Sequence, residues 1–153
     1  SALIAGRRVS LDAALGGYDL THGLLARRTR WNWAFLMGRA RGGEPIALNL
    51  VQGFVGEPEC AVWIDGEPVP LAEGRFTFAQ EAPERPWRVR TADGAVDLAF
   101  EPGGVHREHR DLRVARARFV QPVGTFSGTI DVGGRRLELE RVPGVVEDQD
   151  VVW

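Results

Sequence analysis

A chain of 153 residues, 44% hydrophobic and 26% charged, has the size and make-up of one ordinary globular domain and gives no indication of disorder. Its 19 basic and 21 acidic residues leave a net charge of −2, so no field of one sign is available to grip a nucleic acid. No apolar run approaches the ~20 residues of a membrane helix, no charged start precedes an apolar run as in a signal peptide, and the lone Cys60 excludes an intrachain disulfide and fits a reducing cytoplasm.

All the basic residues are arginine. Arginine forks onto carboxylates and stacks on aromatic rings, so Arg and Trp neighbours can pack together. The start at Ser1 rather than Met points to a processed chain or a piece of something longer.

Taken in chain order, the first stretch offers two short helix candidates, Leu11–Leu15 and Gly23–Arg28, both below the length of an average helix. Arg27-Arg28-Thr29-Arg30 reads as a solvated strand entrance. Then Trp31, Trp33, Phe35 and Met37 take one parity, against Arg30, Asn32 and Ala34 on the other. That is period two, a strand with one buried face, and it assigns the aromatic parity to the interior. Ile46, Leu48, Leu50, Gln52 and Phe54 repeat the pattern. Asp65-Gly66 follows the apolar run Ala61–Ile64. Asp93-Gly94 separates Trp87–Thr91 from Val96–Phe100, and Gly133-Gly134 separates Thr129–Val132 from Arg136–Leu139. Each of these dipeptides tolerates positive φ and predicts a tight hairpin. Between the hairpins, Ala115, Ala117 and Phe119 alternate with Arg116 and Arg118. Gly and Pro recur roughly every 8–12 residues, as in an all-β fold. About ten to twelve strands follow, and closure or two packed sheets would hide their edges.

Five groups of residues offer chemistry. Asp19 and His22, among glycines in Gly16–Gly23, form an acid/base pair if the chain bends there; otherwise Asp19 caps a turn and His22 is structural. In Glu147-Asp148-Gln149-Asp150, Asp148 and Asp150 share one strand face, and Glu147 shares the other with Trp153. A buried Asp148 has a raised pKa and can donate a proton; the alternative is that these acids line a wet edge or meet arginines. Asn49, Gln52 and Gln121 interrupt apolar strands, so each amide either bonds to the sheet or orients a ligand in a cavity. Trp31, Trp33, Trp63, Trp87 and Trp153 either fill the core or line a pocket for a greasy ligand. His106 and His109 in Val105–Asp111 are weak metal candidates, because they diverge on a strand, and no metal site is expected. No GxSxG, P-loop or dinucleotide fingerprint is present.

Four strings carry a resemblance: Gly16–Gly23, Thr29-Arg30-Trp31-Asn32-Trp33-Ala34, Asn49-Leu50-Val51-Gln52-Gly53, and Pro143–Trp153. Together they resemble an uncharacterised bacterial domain family that is distantly similar to the hydroxyneurosporene synthase (carotenoid hydratase) and tocopherol cyclase group. The resemblance implies an all-β, antiparallel, lipocalin-like (calycin-type) β-barrel or β-sandwich with little helix. Residues 1–153 would then form a single barrel, the C-terminal half of a two-barrel protein. It implies Asp19 and His22 as acid/base positions and Trp31 and Trp33 on a pocket wall; Gln149 stands where a histidine is expected in the last motif. Two readings of function follow. One is a domain that holds a small lipophilic molecule in its interior, with Asn49, Gln52 and Gln121 among the ligand contacts. Acid-catalysed hydration, cyclisation or isomerisation by Asp19, His22 or Asp148 would need no cofactor. The other is a structural barrel filled by its own core, pairing with a second barrel or forming a homodimer.

Overall fold

The structure, a computed structural model, describes residues 1–153 apart from Ala13, Asp19 and Thr21. It is all-β. A small hairpin of β1 (Ala2–Ile4) and β2 (Arg7–Val9) precedes nine strands of one antiparallel sheet. These are β3 (Arg28–Arg39), β4 (Pro45–Gly53), β5 (Ala61–Ile64), β6 (Glu67–Pro70), β7 (Gly74–Thr77), β8 (Trp87–Thr91), β9 (Val96–Asp111), β10 (Arg116–Val132) and β11 (Arg135–Val152). Their order is β6-β5-β4-β3-β11-β10-β9-β8-β7. One meander runs outward from β3 to β6, the other runs inward from β7 to β11, and β3 against β11 joins them. The two short helix candidates do not form helices among the described residues; a 3-10 turn at Glu57–Glu59 is all that is present.

The predicted turns form as their chemistry requires. Asp65-Gly66 (φ 55° and 90°) joins β5 to β6, and Gly133-Gly134 (φ 56° and 74°) joins β10 to β11. Positive φ at both central residues matches the right-handed twist of the flanking strands. Asp93-Gly94 joins β8 to β9, and Asp93 Oδ1 accepts from the Thr91 hydroxyl at 2.6 Å and the Ala95 N–H at 3.1 Å.

The sheet curls into a half-barrel that brings its edge strand β7 against β4. Beyond Asn49, β4 has no ladder partner in β5, and β7 approaches it there instead. The seam is made by side chains. Gln52 Oε1 accepts the Phe76 N–H at 3.1 Å, and Glu73 Oε1 accepts the Gly53 N–H at 3.0 Å. A Cβ on Gly74 would lie 3.1 Å from the Val51 carbonyl, so glycine allows the close approach.

The inner face of the curl holds the core. Ala34, Leu36, Leu48, Leu50, Val62, Val89, Leu98, Phe100, Phe126, Ile130 and Val146 are fully enclosed there. Each such large side chain contributes roughly 1.5–3 kcal/mol relative to exposure. Trp87 joins them, stacked on Phe78 at 3.7 Å with its Nε1–H donated to the Pro83 carbonyl.

The parity of β3 is the opposite of the one expected. Ala34 and Leu36 face the core, whereas Trp31, Trp33, Phe35 and Met37 are half-buried on the outer face. From Trp33 to Met37 the strand is apolar on both faces, so alternation alone does not choose between them. Arg30 and Asn32 gave the even parity a wet appearance, because the inner face opens to solvent at that end.

Candidate functional site

Strand pairing sets ordered rows across the outer face, with opposed side chains ~5 Å apart. One row runs Phe119, Gln149, Trp31 across β10, β11 and β3. The next places Glu147 opposite Trp33, and Trp33 opposite Val51. A third runs Val123, Val145, Phe35, Asn49. The result is an aromatic floor. The Trp33 and Phe35 rings stack at 5.8 Å with 12° between planes, and Trp31 leans on Phe54 at 5.4 Å.

Both indole N–H groups of the floor are satisfied sideways by the protein. Trp33 Nε1 donates to Asn49 Oδ1 at 2.7 Å, and Asn49 Nδ2 donates to the Glu59 carbonyl at 2.7 Å. Trp31 Nε1 donates to Glu147 Oε2 at 3.3 Å. Gln121 Nε2 donates to Glu147 Oε1 at 2.6 Å. The rings line a cleft of about 620 Å³, which also takes in Trp63, Val51 and Val145. Gly17, Tyr18 and Leu20 border it. Gly17 sits on Phe35: a Cβ there would be 2.8 Å from the ring.

A second, polar group lies on the inner face at the open end of the curl. Asp148 is buried at 7% exposure, accepting from Arg118 Nη1 at 2.7 Å on Oδ2 and from Asn32 Nδ2 at 3.2 Å on Oδ1. Asp150 accepts from Arg28 at 2.9 and 2.6 Å and from Arg30 at 2.8 Å. The hydrogen bond to Asp148 raises the Arg118 pKa further above its ordinary value, against the opposing effect of burial. Such a cluster is a fixed ion-pair network, with both Asp148 oxygens engaged as acceptors.

Of the residues expected from the sequence, the structure brings Trp31, Trp33, Asn49 and Gln121 together in the outer cleft. It places Gln52 and Asp148 on the inner face, Gln52 at the seam and Asp148 in the ion-pair network. His22 is exposed in the segment between β2 and β3. Asp19 lies outside the described residues. His106 pairs opposite Gln121 and touches the edge of Phe119, while His109 pairs opposite Arg118. Among the described residues no group of three or more metal-ligating side chains converges, and no helix is long and apolar enough to cross a membrane.

Sequence reasoning chose Asp148 from the acidic run and passed over Glu147. The signal that finds Glu147 is parity: it alternates with Val145 on the side of β11 that faces Trp33. Trp63 joins the cleft because Ala47, its β4 partner, lies beside Met37.

No curated protein and no solved structure matches the chain. Residues 3–153 match a family described as a domain of unknown function, DUF2804. The chain therefore belongs to the DUF2804 family.

Proposed function

We propose that this domain binds a small lipophilic molecule in the outer-face cleft. The observation that carries the reading is the floor of Trp31, Trp33 and Phe35. Its two indole N–H groups are already bonded to the protein, so what it offers a ligand is ring surface. A concave, mostly apolar space of about 620 Å³ with a few tethered polar groups has the form of a small-molecule site. The enclosed face of the curl carries the hydrophobic core cluster, which supports the outer face rather than the interior as the binding surface. The resemblance to carotenoid hydratases and tocopherol cyclases supports the same class of ligand.

One observation favours a second reading, acid-catalysed hydration, cyclisation or isomerisation of that ligand. His22 belongs to the segment whose Gly17, Tyr18 and Leu20 border the cleft. In this reading Asp19 and His22 supply the proton and the indole faces stabilise the cationic intermediate. Asp19→Asn and His22→Gln would abolish turnover without unfolding the domain.

Native mass spectrometry of the freshly purified protein, with organic extraction, tests the binding reading. A bound apolar molecule that is lost in Trp33→Ala is the expected result. A clean apo mass, together with no response of tryptophan emission to long-chain alcohols, would sink it. A homogeneous dimer that buries Trp31 and Trp33 would instead favour a structural barrel whose outer face pairs with a second copy or a second barrel.

A further inference from the structure

The net charge of −2 hides an uneven distribution of arginine. Strand pairing brings the end of β9, the start of β10, the end of β11 and the start of β3 together at one end of the sheet. The last row there runs Asp111, Arg116, Val152, Arg28, and the row two residues further in runs His109, Arg118, Asp150, Arg30. Arg110 lies on the row between them, opposite Ala117. Beyond the last row, the β9–β10 turn carries Arg113. Arg27 Nη2 donates to the Val114 carbonyl at 2.7 Å, which ties the approach to β3 onto that turn. Seven arginines thus share one end of the sheet, in a chain whose acids outnumber its arginines.

The carboxylates of this end do not balance them. Arg28 and Arg30 share Asp150, Arg118 pairs with Asp148, and Arg110 pairs with Glu108. Glu81, in the β7–β8 connection, also acts on Arg118. Asp111 Oδ1 accepts the Arg113 backbone N–H and so shapes the turn. Among the described residues the guanidinium groups of Arg27, Arg113 and Arg116 have no carboxylate partner. All three side chains are exposed, and a guanidinium keeps its charge throughout the physiological range. The turn they surround is apolar: Leu112 is 69% exposed and Val114 72%. It is also ordered by its own backbone, since the Leu112 N–H donates to the Ala115 carbonyl at 2.9 Å and the Val114 N–H to the Leu112 carbonyl at 2.8 Å. Two apolar side chains are therefore displayed on a hydrogen-bonded tip with arginines around it.

We infer that this end of the sheet docks on the surface of an anionic membrane. Leu112 and Val114 enter the boundary between headgroups and acyl chains, and Arg27, Arg113 and Arg116 meet the lipid phosphates. An apolar tip rimmed by arginine matches that boundary, which offers hydrocarbon and negative charge side by side. A nucleic acid would use the guanidinium groups and give Leu112 and Val114 no hydrocarbon to enter. Docking of this kind lies on the bilayer and does not span it. Arg28 stands three residues before Trp31 on β3, roughly 10 Å along a strand, so docking holds the aromatic floor close to the lipid. The inference concerns a different surface from the cleft and stands whether or not the cleft takes a ligand.

Flotation with vesicles of phosphatidylcholine alone, and of phosphatidylcholine with about 30% phosphatidylserine, tests it. Affinity for the anionic vesicles should exceed that for the neutral ones by about tenfold or more, and added salt should weaken it. Arg113→Gln combined with Arg116→Gln should lower that affinity by about tenfold or more. Leu112→Ser combined with Val114→Ser should lower it as well, without changing its salt dependence. All four side chains are exposed, so both variants should keep the thermal midpoint of the parent chain. Arg136→Gln, near the opposite end of β11, is the control and should bind as the parent does. No preference for anionic vesicles, or a preference that survives the change at Arg113 and Arg116, would overturn the inference. Parent-like binding by the Leu112 and Val114 variant, with a duplex oligonucleotide bound as tightly as the vesicles, would overturn it too and give this end of the sheet to nucleic acid.

Discussion

Trp33 and Asn49 lie on neighbouring strands, one row apart, and the indole Nε1–H donates to the amide oxygen at 2.7 Å. The amide in turn donates to the Glu59 carbonyl at 2.7 Å, so a ring of the floor is anchored through one side chain to the turn that closes the cleft. Replacing Asn49 by leucine keeps the volume and removes both bonds. We predict a loss of about 1–2 kcal/mol, because a half-buried indole donor and a carbonyl lose their partner. Urea denaturation gives the stability, and a shift in tryptophan emission reports the freed ring. An unchanged midpoint together with unchanged emission would rule out the anchor.

Gln52 is expected to behave differently, although the sequence groups it with Asn49. Its oxygen receives the Phe76 N–H across the seam between β4 and β7. Gln52→Leu should cost about 1–2 kcal/mol and leave the response of the outer cleft to long-chain alcohols intact. Hydrogen exchange resolves the cause. The Phe76 amide should exchange faster in the variant, and amides in the β10–β11 ladder should not.

Asp97 provides a pH dependence. Arg88 first, and Arg90 after it, hold its carboxyl below the ordinary value of 3.8, against the opposing effect of burial. A carboxyl with a depressed folded-state pKa stabilises the protein above its unfolded value, and that stability is lost as pH falls through the folded value. The sensitive window is therefore below about pH 4. Asp93 acts in the same direction, through the Thr91 hydroxyl and the Ala95 N–H. Melting curves between pH 5 and pH 2 should fall less steeply for Asp97→Asn than for the parent chain; parallel curves would remove Asp97 as a contributor.

Gly144 sits on β11 opposite Leu36, where β3 and β11 join the two meanders. A methyl there would land on the Phe35 carbonyl and 2.6 Å from the Phe126 ring. Backbone and a fully buried ring cannot yield cheaply, so Gly144→Ala should destabilise by about 1–3 kcal/mol. Thermal denaturation measures it. Gly134→Ala, in an open turn at φ 74°, is the control that carries backbone strain without the clash.

Strand identity was legible in the residues because alternation and turn chemistry are local. Asp65-Gly66 and Gly133-Gly134 permit positive φ whatever surrounds them, so the hairpins could be placed from dipeptides alone. The candidate site was legible in part. Trp31, Trp33, Asn49 and Gln121 stood out as aromatic or amide residues in apolar strands, and they converge. Glu147 did not stand out, because alternation puts it on the face opposite Asp148 and Asp150 without saying which of the two faces meets the tryptophans.

By itself the sequence determined an all-β antiparallel domain, its hairpins, and the residue types able to build an aromatic site, since these depend on neighbours a few positions away. Only the tertiary structure decided which face of β3 is inside. Period-two alternation records that two faces exist and does not label them where both are apolar, as from Trp33 to Met37. The label comes from curling: the seam at Gln52 and Glu73 turns Ala34 and Leu36 inward and leaves Trp31 and Trp33 on the outer face. It is set by contacts such as Gln52 with Phe76, 24 residues apart in the chain, and pairing at that distance leaves no local signature.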